Sequence, residues 1–295
     1  MELKGIIASL PTPFTPDNEL DDVGLRSNVR FLIENGVHAL APATTTGEFW
    51  ALDESEYEQL IDIVVKEAKG RIPVIAGVGS NNTSVAIRLA KVAKNLGADG
   101  IFVVPPYYNR PTQEGLYQHY KAVLDEVEMP TLIYNEPVRA AVSMSVELIC
   151  KLFKEYPNIV GLKESDFSQI HQEVKLTEGK LPIFVVDLAL LPSLALGCAG
   201  AVSVAANIVP KQMVGLYENF MANKISEARR FHYSLLPLFE GGALFLETNP
   251  GPLKEAMNLM GLAAGIPRLP LVRMNETNRK TLLAVLNQLG LRIER

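Results

Sequence analysis

Lys163 has the surroundings in this sequence that most favour chemistry. It comes near the end of the segment Asn158–Ser165, after the apolar residues Ile159, Val160 and Leu162. Burial among apolar side chains disfavours the charged ammonium, and a neutral amine is a nucleophile towards carbonyl groups. The alternative is a strand whose last lysine extends its charge into water, the more common case for an isolated lysine. Neighbouring groups must decide between the two.

Two further segments carry side chains suited to an organic acid. The loop Ala43–Glu48 contains three threonines and a glycine, which offer hydroxyl groups and free backbone amides to a carboxylate. The segment Tyr134–Arg139 supplies a phenol, which can relay protons, and a guanidinium, which binds a carboxylate at two points. Taken singly, a threonine-rich turn, a packed tyrosine and a surface arginine explain these residues equally well.

A third segment, Pro105–Pro111, holds the adjacent tyrosines Tyr107 and Tyr108 on a loop stiffened by prolines. Such a loop is typical of an apolar lid or of a protein interface. It follows a predicted strand, as the other segments do, so we expect it at the same rim of the fold.

The elements that must position these side chains alternate along the chain. Short β-branched runs are separated by stretches with apolar residues at helical spacing, which is typical of repeated βα units and a parallel sheet. Eight such units close most naturally into an α/β fold, the (β/α)8 TIM barrel, whose chemistry gathers at the strand ends. The predicted strands are Gly5–Leu10, His38–Ala43, Val74–Gly77, Gly100–Val104, Thr131–Asn135, Ile159–Lys163, Ile183–Asp187 and Gly200–Val204.

Beyond Asn207 helical patterns replace this alternation. We therefore predict the barrel over residues 1–223 and a C-terminal helical extension over residues 224–295. The uncharged stretch Leu188–Pro210 is long enough to span a bilayer, but prolines and glycines such as Pro192 interrupt it. We interpret it as a buried short helix followed by a buried strand.

The composition excludes several classes of partner. The 295 residues carry a net charge of -5 with a pI near 5.5, which argues against nucleic acid and anionic membranes. The two cysteines, Cys150 and Cys198, and four histidines without metal-ligand spacing indicate neither a disulfide framework nor a metal site. The N-terminus lacks the layout of a signal peptide, so we expect a cytoplasmic protein.

Five motifs give the chain a resemblance to a known family. The motifs are Thr45-Thr46-Gly47-Glu48, the run from Tyr107 to Tyr120, Tyr134-Asn-x-Pro-x-Arg139, Gly161-x-Lys163-Glu164 and Gly197-x-x-Gly-x-Val-Ser203. On these motifs the chain resembles, over nearly its whole length, the dihydrodipicolinate synthase and N-acetylneuraminate lyase family of class I aldolases. The resemblance implies a TIM barrel, a reaction without cofactor or metal, and a homo-oligomer arranged as a dimer of dimers.

The resemblance also implies roles in the chemistry. Lys163 would form a Schiff base with pyruvate, and Tyr134 would relay protons at the imine carbon and at the carbonyl group of an aldehyde co-substrate. Thr45 and Tyr108 would complete the relay, Tyr108 reaching across from a neighbouring subunit.

Four residues would hold the two substrates. By the same resemblance, Thr46, Gly47 and the backbone at Val202 would bind the pyruvate carboxylate. Arg139 would bind the carboxylate of the second substrate, for which its planar fork is suited.

The chain departs from the family pattern close to these sites. Val186 replaces a glycine after the seventh strand, Ser165–Phe167 replaces a small turn after Lys163, and Ala140–Ala141 replaces a Thr-Gly pair after the arginine. These changes touch loops around the second substrate and leave the imine chemistry intact. Pyruvate is therefore a firmer expectation than its partner.

Three functions fit the sequence. The first is condensation of pyruvate with L-aspartate-4-semialdehyde to 4-hydroxy-tetrahydrodipicolinate on the way to lysine, supported by Arg139. The second, favoured by Val186, is cleavage or dehydration of a 2-keto-3-deoxy sugar acid. The third is a non-catalytic sensor of 2-oxo acids. Weak or no inhibition by lysine is expected, because Val85, with Trp50 and Tyr57 nearby, occupies the position of an acidic residue in the family's inhibitory site.

Overall fold

The computed structural model describes residues 1–239 and 242–294. Eight parallel strands form its centre: β1 Gly5–Ser9, β2 Ala39–Ala41, β3 Ile75–Gly77, β4 Gly100–Val103, β5 Thr131–Asn135, β6 Ile159–Glu164, β7 Ile183–Val185 and β8 Gly200–Ser203. Their order in the sheet is β2-β1-β8-β7-β6-β5-β4-β3. A parallel bridge between Leu40 and Val74 joins β2 to β3, so the sheet closes into a barrel. The predicted (β/α)8 barrel is confirmed.

Each predicted strand is present, and its ends differ from the prediction by at most two residues. The strand β2 ends at Ala41 because Pro42 has no amide hydrogen for the ladder and Ala43 turns into the left-handed region, with φ 53°. The strand β6 continues one residue past Lys163, because Glu164 still pairs with Asn135 of β5. The catalytic candidates on β5 and β6 are thus held in one ladder.

Helices flank the barrel and continue to the C-terminus. Their bounds are α1 Asp22–Glu34, α2 Glu54–Ala68, α3 Thr83–Asn95, α4 Gln113–Glu126, α5 Pro137–Ala140, α6 Val146–Glu155, α7 Phe167–Leu176, α8 Leu190–Ala195, α9 Pro210–Met221, α10 Ile225–Leu235, α11 Gly251–Leu259 and α12 Glu276–Gln288. Local sequence explains their starts. In α2, for example, Asp53 and Glu56 form a reciprocal capping box.

Two apolar layers stabilise the barrel. The larger lies between the strands and the helices, where residues at helical spacing, such as Ile149 and Leu152 of α6, are buried. The smaller fills the barrel interior and includes Phe102, Tyr134 and Val202. The rings of Phe102 and Tyr134 stack with centroids 5.1 Å apart. This packing restricts the rotamer of Tyr134 at the top of the barrel.

The stretch Leu188–Pro210 contains α8 and the buried strand β8, as the sequence predicts. Within the described residues, no helix has the length and hydropathy that a membrane span requires.

The C-terminal region contacts the loops at the mouth of the barrel. Lys254 of α11 forms an ion pair with Glu48, with Nζ and Oε1 2.5 Å apart and both side chains fully buried. Arg268 contacts Glu56 of α2 at 2.6 Å. Asn223, where we predict the division into barrel and extension, lies between α9 and α10, and that division stays a prediction.

Candidate active site

Lys163 lies inside the barrel, with 4% of its surface exposed. Its Nζ donates hydrogen bonds to the hydroxyl of Tyr134 at 3.3 Å and to the hydroxyl of Ser165, and lies 3.7 Å from Oε2 of Glu136. Burial lowers the pKa of Lys163, while the nearby carboxylates, with Glu136 foremost, oppose that shift. The amine is therefore easier to deprotonate than an exposed lysine.

Tyr134 stands beside Lys163 because β5 and β6 pair in register at these two residues. Its hydroxyl donates a hydrogen bond to Glu136 at 2.6 Å while it accepts one from Lys163. Burial, and after it the negative charge of Glu136, raises the pKa of Tyr134 well above its ordinary value. The phenol therefore keeps its proton, yet both donates and accepts, as a proton relay requires.

These groups share one cavity of about 120 Å³ at the mouth of the barrel. Of the residues predicted from the sequence, the cavity brings together Lys163, Tyr134, Thr45, Thr46, Arg139 and Val202. Its remaining lining residues are Ser9, Thr44, Phe102, Glu136, Val186, Asp187, Val204, Leu244, Phe245 and Asn249. A small acid in this space would contact hydroxyl groups, an amine and a guanidinium at once.

The threonine loop is fixed on both sides. Thr44 and Ser9 share a hydrogen bond of 2.7 Å, and Thr46 accepts one of 3.1 Å from Asn249 of the C-terminal region. Gly47 does not line the cavity, but a Cβ atom there would lie 3.0 Å from the backbone of Ala43. Gly47 thus allows the tight turn that brings the two hydroxyls to the cavity.

Asp187 holds the end of β8. Its Oδ2 accepts hydrogen bonds from the amides of Val204 at 2.9 Å and Ala205 at 3.0 Å. Val202 lines the cavity and lies two residues before Val204, so these hydrogen bonds fix the chain next to it. Burial raises the pKa of Asp187, although hydrogen bonds from the Ser203 hydroxyl and from the amides of Ala205 and Val204 oppose the shift.

Tyr108 is not brought to the cavity. Its side chain is 88% exposed, and its backbone takes a left-handed conformation with φ 75°. The neighbouring Tyr107 instead packs edge-on against Phe49, with ring centroids 5.8 Å apart. Within one chain, therefore, Tyr108 contributes nothing to the site.

Four polar residues at the site have no role assigned from the sequence. Glu136, Asp187 and Asn249 line the cavity, and Ser165 accepts a hydrogen bond from Lys163. Glu136 occupies a variable position of the Tyr134-Asn-x-Pro-x-Arg139 motif. The feature that could have identified it as a site residue is an acidic side chain directly after a buried strand. Asn249 gave no signal, because only the fold brings it 3.1 Å from the hydroxyl of Thr46.

A further pair of acids, Glu164 and Glu173, adjoins Lys163, which Glu164 follows directly in β6. Glu164 accepts two hydrogen bonds of 3.1 Å from Asn135 and one of 2.6 Å from the amide of Asp166. Glu173 of α7 is fully buried, and burial, together with the charge of Glu164, raises the pKa of Glu173 to about 9. Glu173 is thus held as a neutral acid in the folded chain near neutral pH.

The chain is similar to known proteins over nearly its full length. A sequence model of the Dihydrodipicolinate synthetase family matches residues 2–289. The chain is 44% identical over 291 residues to the 4-hydroxy-tetrahydrodipicolinate synthase of Geotalea uraniireducens (strain Rf4), covering 98% of this chain and 99% of the relative. The corresponding protein of Methanopyrus kandleri is 43% identical over 294 residues, covering 98% and 97%. The crystal structure of dihydrodipicolinate synthase from Aquifex aeolicus superposes with a TM-score of 0.96 at 40% identity, covering 99% and 100%.

The neutral state of Glu173 predicts a pH-dependent stability. Because its pKa is about 9 in the folded chain and near 4 when unfolded, its contribution to stability is present below pH 4 and is lost as pH rises towards 9, at up to about 1.4 kcal/mol per pH unit. Glu173→Gln should therefore match wild type in urea unfolding at pH 5 and exceed it at pH 8.5. Glu128→Gln, at an exposed position, serves as the control. Equal losses of stability in both variants between these pH values would contradict the assignment.

Proposed function

Since the chain belongs to the dihydrodipicolinate synthetase family, we propose that it is a class I aldolase-type lyase that condenses pyruvate with L-aspartate-4-semialdehyde to 4-hydroxy-tetrahydrodipicolinate, a step towards lysine. The observation that carries the proposal is the buried amine of Lys163, 3.3 Å from the hydroxyl of Tyr134 inside the barrel. A cytoplasmic location accords with these substrates.

The reaction begins at Lys163. Its neutral amine attacks C2 of pyruvate, and loss of water leaves a protonated imine, which withdraws electrons from the adjacent methyl group. Loss of a methyl proton gives an enamine, which attacks the aldehyde carbon of the second substrate, whose oxygen becomes a hydroxyl. The amino group of that substrate then attacks the imine carbon, which closes the ring and releases Lys163 as a free amine. Tyr134 is within reach of both proton transfers, because its hydroxyl contacts Nζ directly.

The carboxylates of the two substrates are assigned to different residues. Thr46, Gly47 and the backbone at Val202 bind the carboxylate of pyruvate, and Thr46 and Val202 line the same cavity as Lys163. Arg139, which also lines the cavity, binds the carboxylate of the semialdehyde as a planar fork. Between them the two sites fix the methyl group of one substrate against the aldehyde of the other.

The proton relay continues from Tyr134 through Thr45 to Tyr108 of a second copy of the chain. The exposure of Tyr108 on its own chain supports an origin in trans, and we infer a homo-oligomer, arranged as a dimer of dimers. The relay therefore assembles only where two copies meet.

The same Lys163 chemistry could act on a 2-keto-3-deoxy sugar acid, but the similar proteins, which are synthases, do not favour this alternative. The test combines trapping with two assays. Borohydride reduction with pyruvate should add a pyruvyl group to Lys163, detectable by peptide mass analysis, and Lys163→Met should abolish it. Turnover of pyruvate with the semialdehyde should exceed pyruvate release from 2-keto-3-deoxygluconate. Labelling elsewhere, or none, overturns the proposal, and the reverse order of the two rates establishes the alternative.

The trans position of Tyr108 is tested by complementation. Lys163→Ala and Tyr108→Phe should each lower turnover by at least about 10²-fold when alone, because the first removes the nucleophile and the second a group of the proton relay. After equal amounts of the two variants are mixed and allowed to exchange subunits, about half of the dimers should be mixed. One of the two sites in each mixed dimer is complete, so activity should return to about a quarter of wild type. Failure to recover in a mixture shown by native mass spectrometry to contain hybrids would contradict an origin in trans.

Weak or absent inhibition by lysine stays a prediction. The half-buried Val85 lies on α3, where it offers no charge to the ammonium group of a ligand. Addition of about 10 mM lysine should leave the initial rate unchanged. Val85→Glu is the matched variant, because it restores a counter-charge for the ammonium group. Abolition of wild-type activity by millimolar lysine would show that another group supplies that charge.

A further inference from the structure

The carboxylate of Glu136 lies beside the reactive amine, and none of the roles implied by the family resemblance belongs to it. It follows β5 directly, with 12% of its side chain exposed. One oxygen, Oε2, accepts hydrogen bonds from Tyr134 at 2.6 Å and Ser165 at 2.9 Å, and lies 3.7 Å from Nζ of Lys163. Three polar groups of the site thus converge on a single oxygen.

The chemistry of the site requires a proton acceptor near Lys163. An ammonium must lose a proton before its nitrogen can attack a carbonyl carbon. Tyr134 is poorly placed for that task, because its own proton is already donated to Glu136. A carboxylate accepts a proton more readily than a neutral phenol. The carboxylate of Glu136 can bind Tyr134 and still lie next to Nζ of Lys163.

Ser165 connects the amine to this carboxylate. Its hydroxyl accepts a hydrogen bond from Nζ of Lys163 and donates one to Oε2 of Glu136. A hydroxyl that accepts on one side and donates on the other can pass a proton without moving. Ser165 lies in the turn after Lys163 that departs from the family pattern, so the bridge belongs to this chain's own residues.

We propose that Glu136 takes the proton from Lys163 during imine formation, directly or through the hydroxyl of Ser165, and returns it when water leaves. The inference rests on the proposed function, because it requires that Lys163 react with a 2-oxo acid.

The proton balance closes within the site. Glu136 takes one proton from the ammonium, which leaves a neutral amine and a carboxylic acid. The amine nitrogen bonds to C2 of the 2-oxo acid, and one N–H proton passes through Tyr134 to the former carbonyl oxygen, which gives a neutral carbinolamine. Glu136 then returns its proton to that hydroxyl, the C–O bond breaks with release of water, and the nitrogen lone pair forms the protonated imine. The carboxylate is regenerated for the next turnover.

The rate of imine formation distinguishes a proton-accepting role of Glu136 from a purely electrostatic one. Lys163 on β6, Arg139 on α5 and Asp187 after β7 line the same cavity as Glu136, and the charge of Glu164 also acts on Lys163. If Glu136 served only to hold Lys163 as an ammonium, its removal would leave more neutral amine, and imine formation would become faster. If it accepts the proton, its removal makes imine formation slower.

The experiment measures the rate of imine formation in the full-length protein. Purified wild type, Glu136→Gln and Glu136→Ala are mixed with pyruvate at pH 7, quenched with borohydride at timed intervals, and the adduct at Lys163 is quantified by mass spectrometry. The rate should fall by about 100-fold in both variants, the low end of general acid–base effects. Formate at high concentration should restore a large part of the rate in Glu136→Ala, where it fits the vacated space, and leave wild type unaffected.

The outcomes separate the inference from the function on which it rests. An adduct in wild type with equal or faster labelling in Glu136→Gln overturns the role of Glu136 and leaves the proposed function standing. Slower labelling of Glu136→Ala without rescue by formate also overturns it, since a lost proton acceptor can be replaced in solution and a distorted site cannot. Absence of an adduct in wild type overturns both.

Discussion

The removal of the Lys163 amine from water is the constraint on which the site depends. An ammonium among apolar side chains is costly to hold unless opposite charges or hydrogen bonds compensate it. Here the compensation is partial, because burial lowers the pKa of Lys163 while Glu136, 3.7 Å away, opposes the shift. The same contacts that stabilise the folded chain therefore adjust the reactivity of the amine.

The barrel converts this local balance into a site with defined geometry. The ladder between β5 and β6 sets Lys163 opposite Tyr134, and the stacking of Tyr134 on Phe102 restricts its ring. The other loops around the mouth of the barrel are fixed by hydrogen bonds to segments distant in sequence. Asp187 binds the chain after β8, and Asn249 binds Thr46. Each reactive group lies on a strand or on a loop held at both ends, so little reorganisation is needed on binding.

The sequence was sufficient for the barrel and for part of the site, for identifiable reasons. Strand and helix periodicities are local, and the convergence of strand ends follows from the closed sheet, so Lys163, Tyr134 and Thr46 could be placed together in advance. Glu136 and Ser165 could not, because their placement depends on the hydrogen bond between them and on their bonds to Tyr134 and Lys163, which no spacing reveals. Tyr108 marks a different limit: its expected place lies on a neighbouring copy, and a single chain leaves it exposed.

The buried ion pair of Glu48 and Lys254 has a consequence for how the chain can change. Loss of either partner alone would leave an uncompensated charge in the interior, at a cost of about 3–5 kcal/mol, whereas joint replacement by apolar residues would remove both charges together and cost only the hydrogen bonds to the Arg268 amide and the Ile266 carbonyl. A change of this pair by single substitutions must pass through a variant with one unpaired buried charge. Such a variant is destabilised, so stepwise substitution is disfavoured at both positions. Because Glu48 ends the threonine loop, this barrier also protects that loop from stepwise change in its contact with the C-terminal region.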